Sequence, residues 1–366
     1  KNEDEDSVAF VLFNVKGKDL LAIDQINDFA DERNPEAARK DTFAKYEKLG
    51  LAPEPFKNVH YYYPYSIPKT RHWNTYMTPD EVEDNIKKKK AKKFKYIYQY
   101  DKDNLDLMFA NIDDSTQTME AIISYIMSGQ GDFNQVSDWQ GFLEAIKKKC
   151  STENAGKDKE IPVASWRKFY RIINKSITDN KIFARDIREE DGETRIGDTL
   201  KYIKKNEVHV IDIAKLSEDK QAYVFGDAIR TIYDLQLGQE GVNPPARIVI
   251  FIDELNKYAS KETPKNSPIL RQVLDVAERG RSLGVVLFAA EQFRSAIHDR
   301  VTGNCSTHAY GRTNSIEVTK SDYKSIPSVY KTMMTRLKQG EYIIQNPIFR
   351  SLLNIKFPKP IYKQFK

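Results

Sequence analysis

The stretch Arg247-Ile-Val-Ile-Phe-Ile-Asp253-Glu254 is an apolar run that ends in two adjacent carboxylates. Its five consecutive apolar residues, mostly β-branched, are typical of a central strand buried on both faces, as in parallel sheets covered by helices. Two acids at the carboxyl end of such a strand are costly unless something positive binds there. The run therefore predicts an α/β fold and the position of a candidate site.

The two acids have two interpretations. In nucleotide hydrolases of the Walker type, the Asp holds the water shell of Mg²⁺ and the Glu activates the attacking water. Alternatively, Asp253 caps the helix that follows and Glu254 lies in its first turn, where the helix dipole favours acids. The motif by itself does not decide between a catalytic and a capping pair.

Composition limits the class of protein. The 366 residues are 40% hydrophobic and 30% charged, enough for a large core in two domains or in one domain with an insertion. No apolar run approaches the roughly 20 residues that span a bilayer, and the acidic N-terminus is unlike an export signal. We therefore expect a cytoplasmic protein with no membrane partner. The net charge of +5 is mild, so any surface for nucleic acid must be local.

Further apolar runs predict the organisation of the chain. Strands are predicted at 8–15, 208–213, 285–290 and 306–310, and those at 8–15 and 285–290 are expected to be buried. Helices are predicted after Ser217 and over 268–282. A short helix is predicted through Leu20, Leu21 and Ile23, and a long connection over 34–70 with one short strand at Val59 to Tyr63. Strands separated by helices predict a mostly parallel sheet flanked by helices. We expect three parts, namely an N-terminal part of the α/β core (1–101), a helical insertion (102–200) and a C-terminal part of the core (201–366).

The carboxyl ends of the predicted strands gather several polar side chains. Ligands of doubly wound sheets bind beyond these ends, where Asp253, Glu254, Glu291 and Gln292 would meet. This convergence favours a nucleotide site over a capping pair. A phosphate loop of the form G-x-x-x-x-G-K-[ST] does not occur in the 366 residues. Either the protein is not a nucleotide enzyme, or the loop precedes Lys1 and 8–15 is the strand after it; we expect the second.

Four stretches, at 11–21, 208–216, 251–259 and 277–284, together resemble the HerA branch of the HerA/FtsK ATPases. The resemblance extends from about residue 8 to about residue 358 and is weakest in the helical insertion. It implies a RecA-like fold of the P-loop NTPase type, ATP and Mg²⁺ as cofactors, and a homohexameric motor on double-stranded DNA.

The resemblance also implies roles for individual residues. Asp253 would position Mg²⁺, Glu254 would be the general base, and Gln292 would sense the γ-phosphate, although it also fits an ordinary strand-end amide. Arg281, or else Arg279, would be an arginine finger that reaches the neighbouring subunit's site. Basic residues are favoured at helix C-termini in any case, which accounts for one of the two arginines without a function.

A basic run interleaved with aromatic residues is the candidate DNA contact. Its lysines are Lys87, Lys88, Lys89, Lys90, Lys92 and Lys93. Lysines with neighbouring aromatic side chains suit phosphates and base stacking. Most lysine runs are simply solvated faces, however, and Phe94, Tyr96 and Tyr98 also fit one side of a strand.

The sequence thus predicts an ATP-driven DNA translocase or helicase subunit of HerA type. The resemblance associates it with a nuclease or another effector protein, in DNA processing or anti-phage defence. The alternative is a catalytically incomplete ring scaffold that assembles or regulates a partner effector enzyme.

Overall fold

A seven-stranded parallel sheet organises the chain. The computed structural model describes residues 6–114, 116–129, 131–151, 161–238 and 243–365. The strands are β1 (Val8–Asn14), β2 (Val59–Pro64), β3 (Ala91–Phe94), β4 (Tyr96–Ile97), β5 (Phe183–Ala184), β6 (Glu193–Thr194), β7 (Val208–Asp212), β8 (Arg247–Asp253), β9 (Val285–Ala290), β10 (His308–Tyr310), β11 (Glu341–Gln345) and β12 (Leu353–Lys356).

Helices occupy the connections between these strands. They are α1 (Pro35–Lys48), α2 (Pro79–Lys87), α3 (Tyr98–Asp101), α4 (Thr118–Met127), α5 (Trp139–Lys149), α6 (Val163–Thr178), α7 (Ile196–Leu200), α8 (Glu218–Gln236), α9 (Asn256–Ala259), α10 (Pro268–Leu283), α11 (Asp299–Asn304) and α12 (Ser328–Met334). Helix α8 begins directly after Ser217, as its sequence predicts.

The order of strands in the main sheet is β6-β3-β2-β7-β1-β8-β9, and every neighbouring pair is parallel. Strand β1 lies between β7 and β8, with Asn14 opposite Asp212 of β7 and Phe13 opposite Ile252 of β8. The carboxyl ends of these strands therefore meet at one edge. The predicted mostly parallel sheet flanked by helices is confirmed. Strands β10, β11 and β12 form a separate antiparallel sheet, and β4 pairs with β5.

One face of the sheet carries the main core. Alternate residues of β1 and β8 point into it and are fully buried: Ala9, Val11, Phe13, Ile248, Ile250 and Ile252. Helix α8 packs here, with the rings of Phe13 and Phe225 at 4.9 Å in an edge-to-face arrangement. Helices α4 to α6 extend the same core, as in the stacked rings of Phe109 and Phe169. Burial of so many large side chains is the main stabilising term.

The opposite face is covered over only part of its width. Over β2 and β7, Tyr61, Tyr63 and Val210 are buried in a second cluster. Over β8 and β9, Val286 is 40% exposed and Phe288 is 60% exposed. In the described part of the chain no strand pairs with the outer edge of β9. The prediction that 285–290 is a buried strand is therefore wrong for these residues, because β9 is an edge strand with one uncovered face.

Two local predictions need correction, and a third is confirmed. Residues 18–24 form successive turns instead of a helix. The strand predicted at 306–310 is present as β10, in the small antiparallel sheet. Helix α1 lies in the region predicted to be a connection. Its only buried residue is Thr42, so it has no apolar stripe to detect. The available signal was its start, where Asn34 Oδ1 accepts a hydrogen bond from the Ala37 N–H at 3.1 Å and Pro35 follows.

None of the helices formed by the described residues is long and apolar enough to cross a membrane.

Gly284 joins α10 to β9 at a point where only glycine fits. Its φ is +76°, and a Cβ there would lie 2.2 Å from the carbonyl oxygen of Ala246. We expect Gly284→Ala to lower the free energy of unfolding by about 2 kcal/mol or more, since strain and a backbone clash add. Chemical denaturation measures this. The control is Gly303→Ala in α11, where nothing lies within 4 Å, and an equal loss in both variants would contradict the prediction.

Candidate active site

The two acids of the opening motif lie at the carboxyl end of β8. The strand ends at Asp253, and Glu254 has a φ of +58°, in the left-handed region. A non-glycine residue there costs of the order of 1 kcal/mol and occurs disproportionately at functional sites. Asp253 Oδ1 accepts a hydrogen bond from the Glu254 N–H at 2.9 Å. Asp253 Oδ2 takes no part in this bond.

These acids do not cap the helix that follows. Helix α9 begins at Asn256, and the residue before it, Leu255, makes no side-chain cap. The N–H of Asn256 instead donates to Glu291 Oε2 at 2.9 Å. Glu291, at the end of β9, therefore serves the helix terminus, and the carboxylates of Asp253 and Glu254 remain available for another role.

A lysine from the loop after β1 reaches both carboxylates. Lys16 Nζ lies 2.7 Å from Glu254 Oε1 and 3.4 Å from Asp253 Oδ2. The second oxygen of Glu254 pairs with Lys257 Nζ, also at 2.7 Å. Hydrogen bonds from Lys16 and then Lys257 hold the pKa of Glu254 below its usual range, and the bond to Glu254 raises the pKa of Lys16. Glu254 and Lys16 are therefore both charged at neutral pH.

A buried polar network positions the loop that carries Lys16. Asn14 Nδ2 donates to Asp212 Oδ1 and to the carbonyl oxygen of Gly17, both at 2.9 Å. Thr75 Oγ1 donates to Asp212 Oδ2 at 2.6 Å, and the Leu20 N–H donates to Asn14 Oδ1 at 3.1 Å. Burial raises the pKa of Asp212 to about 6, although the bonds from Thr75 and Asn14 oppose this shift. The network ties β1, β7 and the following turn together.

Gln292 follows β9 at the same edge of the sheet as Asp253. The register places Asp253 opposite Ala290, so Glu291 and Gln292 come directly after the paired residues. The Gln292 side chain is exposed. The backbone N–H of Gln292 donates a hydrogen bond to Glu291 Oε1 at 2.7 Å. The predicted gathering of Asp253, Glu254, Glu291 and Gln292 at strand ends is thus found, while the role of Gln292 stays a prediction.

The two candidate finger arginines lie at the other end of the sheet. Both are near the end of α10, which leads through Gly284 into the start of β9. Arg279 pairs with Asp275 at 2.6 Å and lies over the ring of Tyr233. Arg281 is exposed, and no ion pair to it is found among the described residues. A strand of this length spans roughly 20 Å, so neither side chain reaches the carboxylates of its own chain.

The lysine run spans the end of α2 and the start of β3, away from β8 and β9 in the sheet. Three of its members are paired with acids, Lys88 with Asp84, Lys90 with Asp24 and Lys93 with Glu83. Lys87, Lys89 and Lys92 are exposed. The neighbouring aromatic residues Phe94, Tyr96 and Tyr98 are buried and pack in the core. The aromatic pattern therefore reflects packing, and DNA contact by the lysines stays a prediction.

Sequence reasoning missed the residues that hold the candidate carboxylates. Lys16 and Lys257 have no motif, because each is one lysine among many. Asn14 and Asp212 carried a detectable signal, since each is a polar residue at the end of a mainly apolar strand, and both are fully buried. Two such positions on neighbouring parallel strands predict a contact once the strand order is known.

The donor set at this edge fits a magnesium ion held mainly by other ligands. No group of three or more histidine, cysteine or acidic side chains suited to a metal is found in the ranges that the structure describes. Mg²⁺ in nucleotide enzymes is bound by one or two carboxylates and by phosphates, so a dedicated protein cage is not required. Asp253 Oδ2 is an oxygen of this type and already lies beside a cation, the Lys16 ammonium.

Comparisons with known proteins give the fold. No protein-family model and no curated protein matches the sequence. Among solved structures, the bacterial conjugative coupling protein TrwBdeltaN70 in complex with sulphate is similar, with a TM-score of 0.51, 8% identity and coverage of 98% of this chain and 88% of that one. VirB4 of Thermoanaerobacter pseudethanolicus has a TM-score of 0.50 at 10% identity, covering 96% and 89%.

The fold is that of the RecA-like P-loop NTPases. The edge of the sheet that bears Asp253 and Glu254 is the edge at which this class of fold binds ligands. The HerA branch itself stays a prediction.

The buried carboxyl of Asp212 makes stability depend on pH. Its pKa of about 6 in the folded protein lies above the ordinary value of 3.8, so the contribution is present at low pH and is lost as pH rises through about 6. Between about pH 4 and pH 7 we expect the wild type to lose about 3 kcal/mol of unfolding free energy relative to Asp212→Asn. Urea unfolding of both proteins across this range measures the difference, and a constant difference would contradict the prediction.

Proposed function

We propose that the chain belongs to an ATP-hydrolysing DNA translocase or helicase of HerA type that acts as a homohexamer. The observation that carries this proposal is the pair Asp253 and Glu254. Both carboxylates lie at the ligand-binding edge of a RecA-like sheet, neither caps a helix, and both face a cation. Adjacent carboxylates at the end of a strand are typical of phosphoryl-transfer sites.

Each residue at this edge has a role in the proposed reaction. Bound through Asp253, Mg²⁺ would neutralise charge on the phosphates of ATP. Glu254 accepts a proton from the attacking water as general base, which requires that one of its lysine contacts opens. Gln292 lies at the same edge and contacts the γ-phosphate. Glu291 keeps α9 in place, which holds Glu254 and Lys257 in register.

The uncovered side of the sheet supports a place for the phosphate-binding loop. The exposed Val286 and Phe288 and the half-buried Phe251 form an apolar strip over β8 and β9, and the rings of Phe251 and Phe288 lie 5.8 Å apart. We infer that a strand pairs with the outer edge of β9 and that a helix crosses this strip to reach β1. The loop between them then lies beside Asp253. Such a strand, loop and helix is the usual arrangement of a phosphate-binding loop.

The positions of the arginines support a ring. Because Arg281 is about a strand length from the carboxylates of its own chain, it acts in the site of a neighbouring subunit. Arg281 is preferred to Arg279, since Arg279 already pairs with Asp275. A finger supplied in trans requires an oligomer, and the homohexamer follows from the resemblance to HerA. Double-stranded DNA, contacted by Lys87, Lys89 and Lys92, and a nuclease or other effector protein are the proposed partners.

Replacement of the general base tests the enzymatic part. We expect Glu254→Gln in the full-length protein to bind ATP and Mg²⁺ normally but to hydrolyse ATP at least about 10²-fold more slowly, because the amide cannot accept the proton. Turnover is measured with and without double-stranded DNA, which should stimulate the wild type only. A full-length wild type that binds no ATP would instead support the ring scaffold, and unchanged turnover in the variant would exclude Glu254 as the base.

Mixing of two inactive variants tests the finger. Rings of Arg281→Ala alone and of Glu254→Gln alone should both be nearly inactive. Loss of the arginine finger should lower the rate of ATP hydrolysis by about 10³-fold. Mixed rings contain some sites with an intact Glu254 from one subunit and an intact Arg281 from its neighbour, so part of the activity should return. Arg279→Ala mixed in the same way is the matched control. Hexamers that stay inactive after subunit exchange would count against Arg281.

A further inference from the structure

Lys16 lies in the candidate site in contact with both of its carboxylates. Its ammonium lies between Asp253 Oδ2 and Glu254 Oε1. Asp253 Oδ1 accepts a hydrogen bond from the Glu254 N–H, so Oδ2 is the oxygen better placed to bind a metal. The lysine thus lies beside the Asp253 oxygen that the turn does not use.

The loop that carries Lys16 is built to place it there. Asn14 is fully buried and holds both ends of the turn, through the carbonyl oxygen of Gly17 and the N–H of Leu20. Gly17 has a φ of +45°, which lets the chain turn back over the strand ends. Lys257 differs, since it lies three residues after Glu254 and reaches it within one helical turn.

The contact with Lys16 gives little stability. The Lys16 side chain is 41% exposed, and ion pairs between exposed groups contribute at most about 1 kcal/mol. The contact matters because it limits the ability of Glu254 to accept a proton. Two cations hold the two oxygens of Glu254, which makes this carboxylate a poor acceptor for a water proton.

We propose that Lys16 is a placeholder for the metal: its ammonium takes the cation position beside Asp253 and Glu254, restrains Glu254, and leaves when a divalent cation binds at Asp253. This inference rests on the proposed function, because it takes Asp253 as the metal carboxylate. A doubly charged ion at Asp253 repels an ammonium a few ångströms away. Departure of Lys16 frees Glu254 Oε1, so the base becomes available only in the loaded site.

Metal binding without nucleotide tests the proposal directly. Mn²⁺ is the probe, added to the nucleotide-free full-length protein and followed by the electron paramagnetic resonance of the free ion. We expect Lys16→Met to bind Mn²⁺ about tenfold more tightly than the wild type, because one positive charge is removed beside the metal. Adding Asp253→Asn to Lys16→Met should abolish the gain.

Two variants separate the charge of Lys16 from the shape of the loop. Lys16→Arg keeps the charge and should retain the wild-type affinity. Lys18 lies in the same loop as Lys16 and pairs with Glu81 of α2. Lys18→Met should therefore also leave the affinity for Mn²⁺ unchanged. Lys16→Gln is a second neutral variant, used if the unfolding midpoint of Lys16→Met is lowered.

The outcomes distinguish this inference from the proposed function. If both neutral variants bind Mn²⁺ like the wild type, or if Lys18→Met shows the same gain, Lys16 is not a placeholder, and the metal role of Asp253 stands. If no variant binds Mn²⁺ without nucleotide, the placeholder fails, while the metal role of Asp253 beside nucleotide phosphates stands and is tested separately through ATP hydrolysis. The assay does not measure hydrolysis, so a defect in turnover does not affect it.

Discussion

The parallel pairing of β1 between β7 and β8 is the constraint on which the rest of the structure depends. Its register puts Asn14 opposite Asp212 and brings Asp253 to the same edge. The buried bonds from Asn14 and Thr75 to Asp212 then hold the strand ends and the turn that follows β1. An unpaired carboxylate at this depth would cost several kcal/mol, so the network specifies one arrangement of the edge. The position of Lys16, and through it that of Glu254, follows from this arrangement.

The two faces of the sheet differ in how far helices cover them, and this difference bears on function. Helices α8 and α10 cover one face of β8 and β9, which buries Ile248, Ile250 and Ile252. The other face leaves Phe288 exposed beside an edge with no paired strand in the described residues. Exposed apolar strips of this kind usually mark a surface that is covered in the complete molecule or assembly. Here the strip adjoins the candidate carboxylates, since Phe288 lies opposite Phe251, two residues before Asp253.

Much of the fold and part of the site could be predicted. Apolar patterns identified β1, β7, β8 and β9 within a residue or two. In β1, β8 and β9 the runs contain five or more consecutive apolar residues, which have few other uses in an α/β protein. Helix α1 was missed because it buries almost nothing, and the outer strand β9 was taken as buried because an apolar sequence does not record whether its cover is present. Asp253, Glu254, Glu291 and Gln292 were predicted to gather since they all follow parallel strands. The separate roles of these four residues were not predicted, because hydrogen-bond partners, such as Asn256 for Glu291, depend on three-dimensional placement.

The sequence by itself determined the fold class, the strand ends that bear acids and the resemblance to HerA ATPases, since these depend on local patterns of residue type. Only the tertiary structure decided that Glu291 serves α9 while Asp253 and Glu254 face Lys16, a residue more than 230 positions away. It also decided that Arg281 lies at the far end of the sheet from its own carboxylates. Such relations arise from strand order and register, and many orders are compatible with the same pattern of apolar runs. Distances between charges are therefore properties of the folded chain alone.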